Sequence, residues 1–312
     1  MNFAIFAPGV LAFVASVAIS FLILKFFPKL GFVDSPEKFN FKRKPIPLPG
    51  GVGAILVFVF LVIFSHEILR ENFSEKLQNF AHFQKQIAAF LIAIIFLTTV
   101  SFVDDRKNLS PILRIGAQIC AAGILIFGGI GIDFVSNPFG DGVFDLRKFE
   151  IDVFKFRGDF YQFNFVADFL TIFWVIFLTN CANWLDGVVG LSPTSCGFSA
   201  VILGILSLSK NVAQNEIAIL AFIFAGAIFG FLIFNFPPPR MLFGDAGAMP
   251  AGFILAVLAI FSGGKIATAF LVFAVPIFDA IFVIFWRLKS GRKIWCGRDG
   301  AHFHDELLRL KF

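Results

Sequence analysis

The stretch Thr98–Pro111, TTVSFVDDRKNLSP, decides how the chain is read. It begins as the tail of an apolar run and then sets Asp104 beside Asp105. Adjacent carboxylates repel each other and resist burial. A membrane-spanning helix is therefore expected to end here, with the pair at its mouth, either raising one carboxylate's proton affinity or recruiting a cation.

Apolar runs able to cross a bilayer recur on both sides of this point. Of the 312 residues, 58% are hydrophobic and only 15% charged, with a mean hydropathy of +0.87. A soluble domain of this length carries far more charge, so lipid is the expected solvent. Spans are predicted at 3–27, 50–65, 86–103, 112–132, 166–181, 195–209, 215–235, 247–262 and 266–286. The chain is thus expected to be an all-α polytopic membrane protein of about nine transmembrane helices, one integral-membrane domain over 1–312. The first span has no basic stretch before it and no A-x-A site after it, and reads as retained. Between the fourth and fifth spans, residues 149–165 alternate apolar and polar side chains around Gly158-Asp159, the pattern of a small β-hairpin at the membrane surface.

The four cysteines form no C-x-x-C pair, so neither a disulfide framework nor a zinc site is indicated. The 48 phenylalanines read as lipid-compatible filler. Of the 26 basic residues, 17 fall in or beside loops that follow odd-numbered spans. By the positive-inside rule these loops are cytoplasmic, with the N-terminus outside and the C-terminus inside. The net charge of +5 is largely topological, and no nucleic-acid partner is expected.

Five polar stretches carry the residue types of chemistry: FKRKPIPLPGGVG (41–53), DDRKNLSP (104–111), NCANWLDGVVGL (180–191), NFPPPRMLFGDAGAM (235–249) and GRDGAHFHDELL (297–308). All follow odd spans, which places them on one face, in loops 28–49, 104–111, 182–194, 236–246 and 287–312. Asp104, Asp105, Asp186 and Asp245, with Asn180 and Asn183, make an oxygen-rich set without thiolates. That set suits a hard cation, Mg²⁺ or Mn²⁺, shared with a phosphate-bearing substrate. Glycines at 50, 51, 53, 187, 190, 244 and 247 allow close backbone approach, and several precede helices whose free N–H groups would favour anions. Taken singly, each motif also has a structural reading, as a solvated helix end, a cap or a turn. The shared parity favours one composite site.

In this order the five loops resemble those of the polyprenyl-phosphate N-acetylhexosamine-1-phosphate transferases. The resemblance runs from about Lys42 to Leu308 and is strongest in DDRKNLSP, in Asn180-x-x-Asn183-x-x-Asp186-Gly187 and in FGDAG (243–247). KPIPLPGG and a single H-x-H point to the N-acetylglucosamine branch rather than the pentapeptide branch. The resemblance implies a Mg²⁺-dependent enzyme of the bacterial cytoplasmic membrane. It would transfer N-acetylhexosamine-1-phosphate from a UDP-sugar to a polyprenyl phosphate, release UMP and initiate cell-envelope glycan synthesis. It further implies Asp104 as base or orienter of the lipid phosphate with Asp105 in support, and Asp186 against the nucleotide–metal assembly. Asp245 and Asn183 would be metal ligands. Lys44, Arg114, Asn180, Arg298, His302 and His304 would contact substrate, and a homodimer is compatible with the family. Family members usually have ten or eleven helices and often a second Asp where this chain has Val189; Gly300 and Asp305 depart from the usual Arg and His. These departures give a second reading, a weakened homologue acting as a lipid-phosphate-binding scaffold.

Overall fold

The computed structural model describes residues 5–35, 44–65, 80–136, 142–146, 150–156, 159–209, 212–262 and 274–291. Among the described residues, helices fall in each of the nine segments expected from hydropathy: α1 (Ala7–Phe26), α2 (Val52–Phe64), α3 (Phe80–Lys107), α4 (Pro111–Phe127), α5 (Phe165–Leu185), α6 (Leu191–Ser207), α7 (Asn215–Asn235), α8 (Asp245–Phe261) and α9 (Ala274–Lys289); residues 266–273 of the ninth lie outside them. Of these, α1, α5, α7 and His82–Lys107 of α3 are long and apolar enough to cross a membrane; α2, α4, α6 and α8 are shorter apolar helices.

Two helices form the centre. Buried residues run without a break from Ala246 to Ala259 in α8, and most of α7 is buried. A helix that is apolar all round finds its place inside a bundle. Around α7 pack α1, α2 and α6, and around α8 pack α3, α5 and α6. Small residues set the closest crossings, as is usual where lipid supplies no hydrophobic drive between helices. A Cβ on Gly226 would overlap the Gly9 carbonyl, and Ser16 Oγ donates to the Ala227 carbonyl at 2.6 Å, so α1 and α7 meet almost backbone to backbone. Between α5 and α8, Gly252 leaves no room for a side chain beside the Leu178 carbonyl. Many phenylalanines face outward instead, including Phe60, Phe64, Phe165, Phe169 and Phe198.

Several boundaries differ from the expectation. Hydropathy ends the third span at 103 and the fifth at 181, yet α3 continues through Asp104 and Asp105 to Lys107 and α5 through Asn183 to Leu185. These polar groups find partners on the helices and their neighbours, so no loop is needed to solvate them. The fourth helix stops at Phe127, ahead of Gly129 with φ +79°. Strands β1 (Phe134–Ser136) and β2 (Val143–Asp145) pair antiparallel, a ribbon the sequence did not signal. Strands β3 (Glu150–Phe156) and β4 (Asp159–Asn164) also pair antiparallel, with an irregularity between Asp152 and Phe154. The chain then enters α5 through reciprocal caps: Asn164 Oδ1 accepts the Ala167 N–H, and Asp168 Oδ2 accepts the Asn164 N–H.

Candidate active site

The loops that follow α1, α3, α5 and α7 meet at one end of the bundle. The Pro47 carbonyl accepts the Leu242 N–H, and the Gly50 and Gly51 N–H groups donate to the Leu242 and Phe243 carbonyls at 2.8 and 2.9 Å. A Cβ on Gly51 would overlap the Phe243 ring and the Gly247 backbone. These glycines therefore let two loops pack face to face. Their N–H groups are spent on protein carbonyls, which corrects the expectation that they are open to phosphate.

The start of α8 corrects the same expectation. Its N-cap, Gly244, has no side chain, so the free N–H groups of the first turn need partners from elsewhere. Two carboxylates supply them. Asp186 Oδ2 accepts the Gly244 N–H at 3.1 Å, and Asp105 takes the Asp245 N–H on Oδ1 at 2.8 Å and the Ala246 N–H on Oδ2 at 2.9 Å. A helix N-terminus that could hold an anion is occupied by the protein's own acids.

Asp104 points another way. It is 1% exposed; its Oδ1 accepts the Leu109 N–H at 2.7 Å and its Oδ2 lies 2.6 Å from Arg114 Nε. Ser110 caps α4, with Pro111 in its first turn, so that Arg114 faces back across the junction to α3. Arg114 Nη1 stands 3.7 Å from Asp245 Oδ2, and Asn183 Nδ2 donates to Asp245 Oδ1. One turn earlier on α5, Asn180 Nδ2 donates to Gln118 Oε1 at 2.7 Å and to the Ile176 carbonyl. Asp104, Arg114, Asn183 and Asp245 thus form one connected polar cluster, with Asp105 and Asp186 behind it against the head of α8.

Burial, then the charges of Asp245 and Asp105, push the Asp186 carboxyl well above its usual range, only partly offset by the Gly244 N–H. Several acids thus crowd around one guanidinium. Among the described residues no three His, Cys, Asp or Glu side chains group tightly enough to hold a metal alone. Mg²⁺ seldom asks for that; it keeps several waters and takes one or two carboxylates together with substrate phosphates. Asp245, partly exposed and beside the Asn183 amide, offers such a hard-oxygen donor set, so the residues present fit Mg²⁺.

The sequence model of glycosyl transferase family 4 matches residues 87–263, from α3 to just past α8. The chain belongs to this family. The resemblance read from the loop motifs is thereby borne out. Among relatives of this family 4 protein is a probable undecaprenyl-phosphate N-acetylglucosaminyl 1-phosphate transferase of Bacillus subtilis, 25% identical over 288 residues, covering 90% of this chain and 70% of the relative. A decaprenyl-phosphate N-acetylglucosaminephosphotransferase of Mycobacterium leprae is 24% identical over 305 residues, covering 90% and 71%. A phospho-N-acetylmuramoyl-pentapeptide-transferase of Streptococcus agalactiae is 26% identical over 265 residues, covering 81% and 71%.

Within this family 4 chain the structure brings together Asp104, Asp105, Arg114, Asn183, Asp186 and Asp245, with Asn180 one turn deeper. Lys44 is exposed at the start of the 44–51 segment. Arg298, His302 and His304 lie outside the described residues, as does the loop 292–312. Val189 is partly buried in the turn between α5 and α6. Two residues of the site region carry little signal in the sequence. Gln118, fully buried, holds Asn180; a polar residue four positions after Arg114 is its only sign. Asn235, 1% exposed, accepts the Gly190 N–H and donates to the Met241 carbonyl, both at 2.9 Å, tying α6 to the loop before α8.

Proposed function

We propose that this chain transfers N-acetylhexosamine-1-phosphate from a UDP-sugar to a membrane polyprenyl phosphate, releasing UMP. The observation that carries the reading is the cluster of Asp104, Arg114, Asn183 and Asp245 on the ends of four helices, in a family whose relatives bear polyprenyl-phosphate transferase names. An oxygen of the lipid phosphate attacks the β-phosphorus of the donor, and the bond from that phosphorus to the bridging oxygen breaks, leaving the electron pair on UMP. A phosphate monoester with a second pKa of about 6 is largely ionised at neutral pH, so its attack needs no obligate base. Asp104, buried and ion-paired with Arg114, then serves as the orienter of Arg114. The guanidinium, held at its Nε edge, presents its terminal nitrogens toward Asp245 and an arriving phosphate.

Asp245 and Asn183 would hold Mg²⁺, which would supply neutralisation of the charge developing on the leaving UMP. Arg298, His302 and His304 would bind the sugar nucleotide from the loop after α9, and Lys44 would attract it from the facing loop. The reading places nine crossings in a bacterial cytoplasmic membrane, N-terminus outside, with this end of the bundle in the cytoplasm.

The test is release of UMP by purified protein given undecaprenyl phosphate and a panel of UDP-N-acetylhexosamines, with and without Mg²⁺. Turnover should need the ion and should fall by about 10²-fold or more in Asp245→Asn and Arg114→Met, the scale of a lost electrostatic contact to a transition state. Full turnover in Asp245→Asn would overturn the assignment. Nucleotide-sugar binding without any turnover in the wild type would replace it with the scaffold.

A further inference from the structure

We propose that Asp105 is a positioning residue that locks the first turn of α8 and thereby fixes where Asp245 presents its carboxylate. The proposal rests on the reading that Asp245 holds a divalent cation. Both Asp105 oxygens accept backbone N–H groups, from Asp245 and Ala246, at 2.8 and 2.9 Å. A carboxylate held on both oxygens in this way is oriented by the protein backbone, with half of its acceptor capacity spent on the head of α8. The donors it takes are the first two N–H groups of α8, which have no partner within their own helix. The backbone of Asp245 itself is thus clamped from α3, while the side chain is left free to face Asn183 and Arg114.

Gly244 supports the same conclusion independently. Its φ is +74°, and a Cβ there would stand 2.9 and 3.0 Å from the Asp105 oxygens and 2.8 Å from Leu48. The position therefore requires glycine twice over, for its backbone angle and for the approach of Asp105. Asp186 completes the arrangement by taking the Gly244 N–H, so three successive amides at the head of α8 are held by acids from α3 and from the end of α5. Asp105 has the character of an outer-shell partner, which orients a ligand instead of binding the metal. Loss of such a partner typically weakens metal affinity by 10–100-fold.

Two measurements test this. In wild-type protein, hydrogen–deuterium exchange over residues 244–247 should be slow, because uncapped first-turn amides would exchange freely; rapid exchange there overturns the clamp regardless of how any variant folds. In parallel, Mn²⁺ binding is read by electron paramagnetic resonance on protein without substrate. Asp105→Asn, which keeps one acceptor, and Gly244→Ala, which pushes on the same contact from the other side, should each weaken Mn²⁺ binding by about tenfold or more and speed exchange at 244–247. KM for the lipid phosphate should stay near the wild-type value in both. Asp245→Asn serves as the reference. If it binds Mn²⁺ like wild type, the metal reading has failed. If it loses Mn²⁺ while Asp105→Asn binds normally yet loses turnover, Asp105 acts on substrate and the positioning role is overturned.

Discussion

Arg114 and Asp104 meet through a single 2.6 Å contact, Nε to Oδ2, between the ends of α3 and α4, with Asp104 only 1% exposed and Arg114 about a third. Successive residues of a helix point about 100° apart. Asp104 therefore turns toward α4 while Asp105 turns toward α8. The two acids belong to one site but take different partners in it. Each has its own positive partner, a guanidinium for one and a helix N-terminus for the other.

Removing only one member of the Asp104–Arg114 pair should harm stability more than removing both. Arg114→Met leaves a buried carboxylate without its cation, an error on the order of 3 kcal/mol in a dry site, reduced here because Arg114 is partly exposed. In the Asp104→Asn/Arg114→Met double variant no charge is stranded. Thermal unfolding in detergent should therefore show the double variant melting above Arg114→Met. Simple addition of the two single effects would mean that the pair is not coupled.

Asp186 yields a pH dependence with a definite sign. Its folded pKa lies well above the ordinary 3.8, through burial and then the charges of Asp245 and Asp105. Between the unfolded and folded values the native state holds a proton that the unfolded chain has released, so stability falls as pH rises through that window. Above the folded value the ionised acid is a standing liability. Asp186→Asn keeps an acceptor for the Gly244 N–H and removes the charge. Without divalent ions it should raise the melting temperature at pH 8, and raise it less at pH 5. A larger gain at pH 5 would contradict the assignment.

The helices are legible because lipid makes hydropathy a strong signal, and the parity of the polar loops foretells the convergence of the first four at one end of the bundle; the fifth lies outside the described residues. Helix ends are less legible. Asn183 reads as loop because a polar side chain lowers hydropathy whether or not it has a helical partner, and its partner Asp245 is 62 residues away, as Gln118 is from Asn180. The glycines of 50–51 and 244 stand out in the sequence, but their purpose does not. Whether a glycine's N–H is free for phosphate depends on which chain lies opposite, and that is a tertiary fact. Asp105 shows the same limit: nothing in DDRKNLSP says that its second acid caps a helix 140 residues later.

Asn235 should prove important for stability although it lies off the acidic cluster. Its amide satisfies two backbone groups at once, the Gly190 N–H and the Met241 carbonyl, in a site 1% exposed. Asn235→Ala strands both, at roughly 1–3 kcal/mol each. Asn235→Asp can still accept from Gly190 but sets a carboxylate against the Met241 carbonyl in a buried site, and at neutral pH should melt no higher than Asn235→Ala. A wild-type melting temperature in Asn235→Ala would show that neither bond matters.

The contact between α1 and α7 predicts opposite outcomes for one substitution at two glycines. At Gly226 a methyl group would overlap the Gly9 carbonyl, and backbone cannot move aside as a side chain can. Gly226→Ala must force α1 and α7 apart, also straining the Ser16 bond to the Ala227 carbonyl, and should cost on the order of 1–3 kcal/mol or more. Gly116, inside α4, has open space where an added methyl would stand, with nothing within 4 Å. There alanine only restricts the unfolded chain and favours the helix, so Gly116→Ala should gain up to about 1 kcal/mol. Melting curves of the two variants in the same detergent decide the matter. A neutral Gly226→Ala would mean that the helices do not cross at this distance, and the inner packing described for α7 would have to be redrawn.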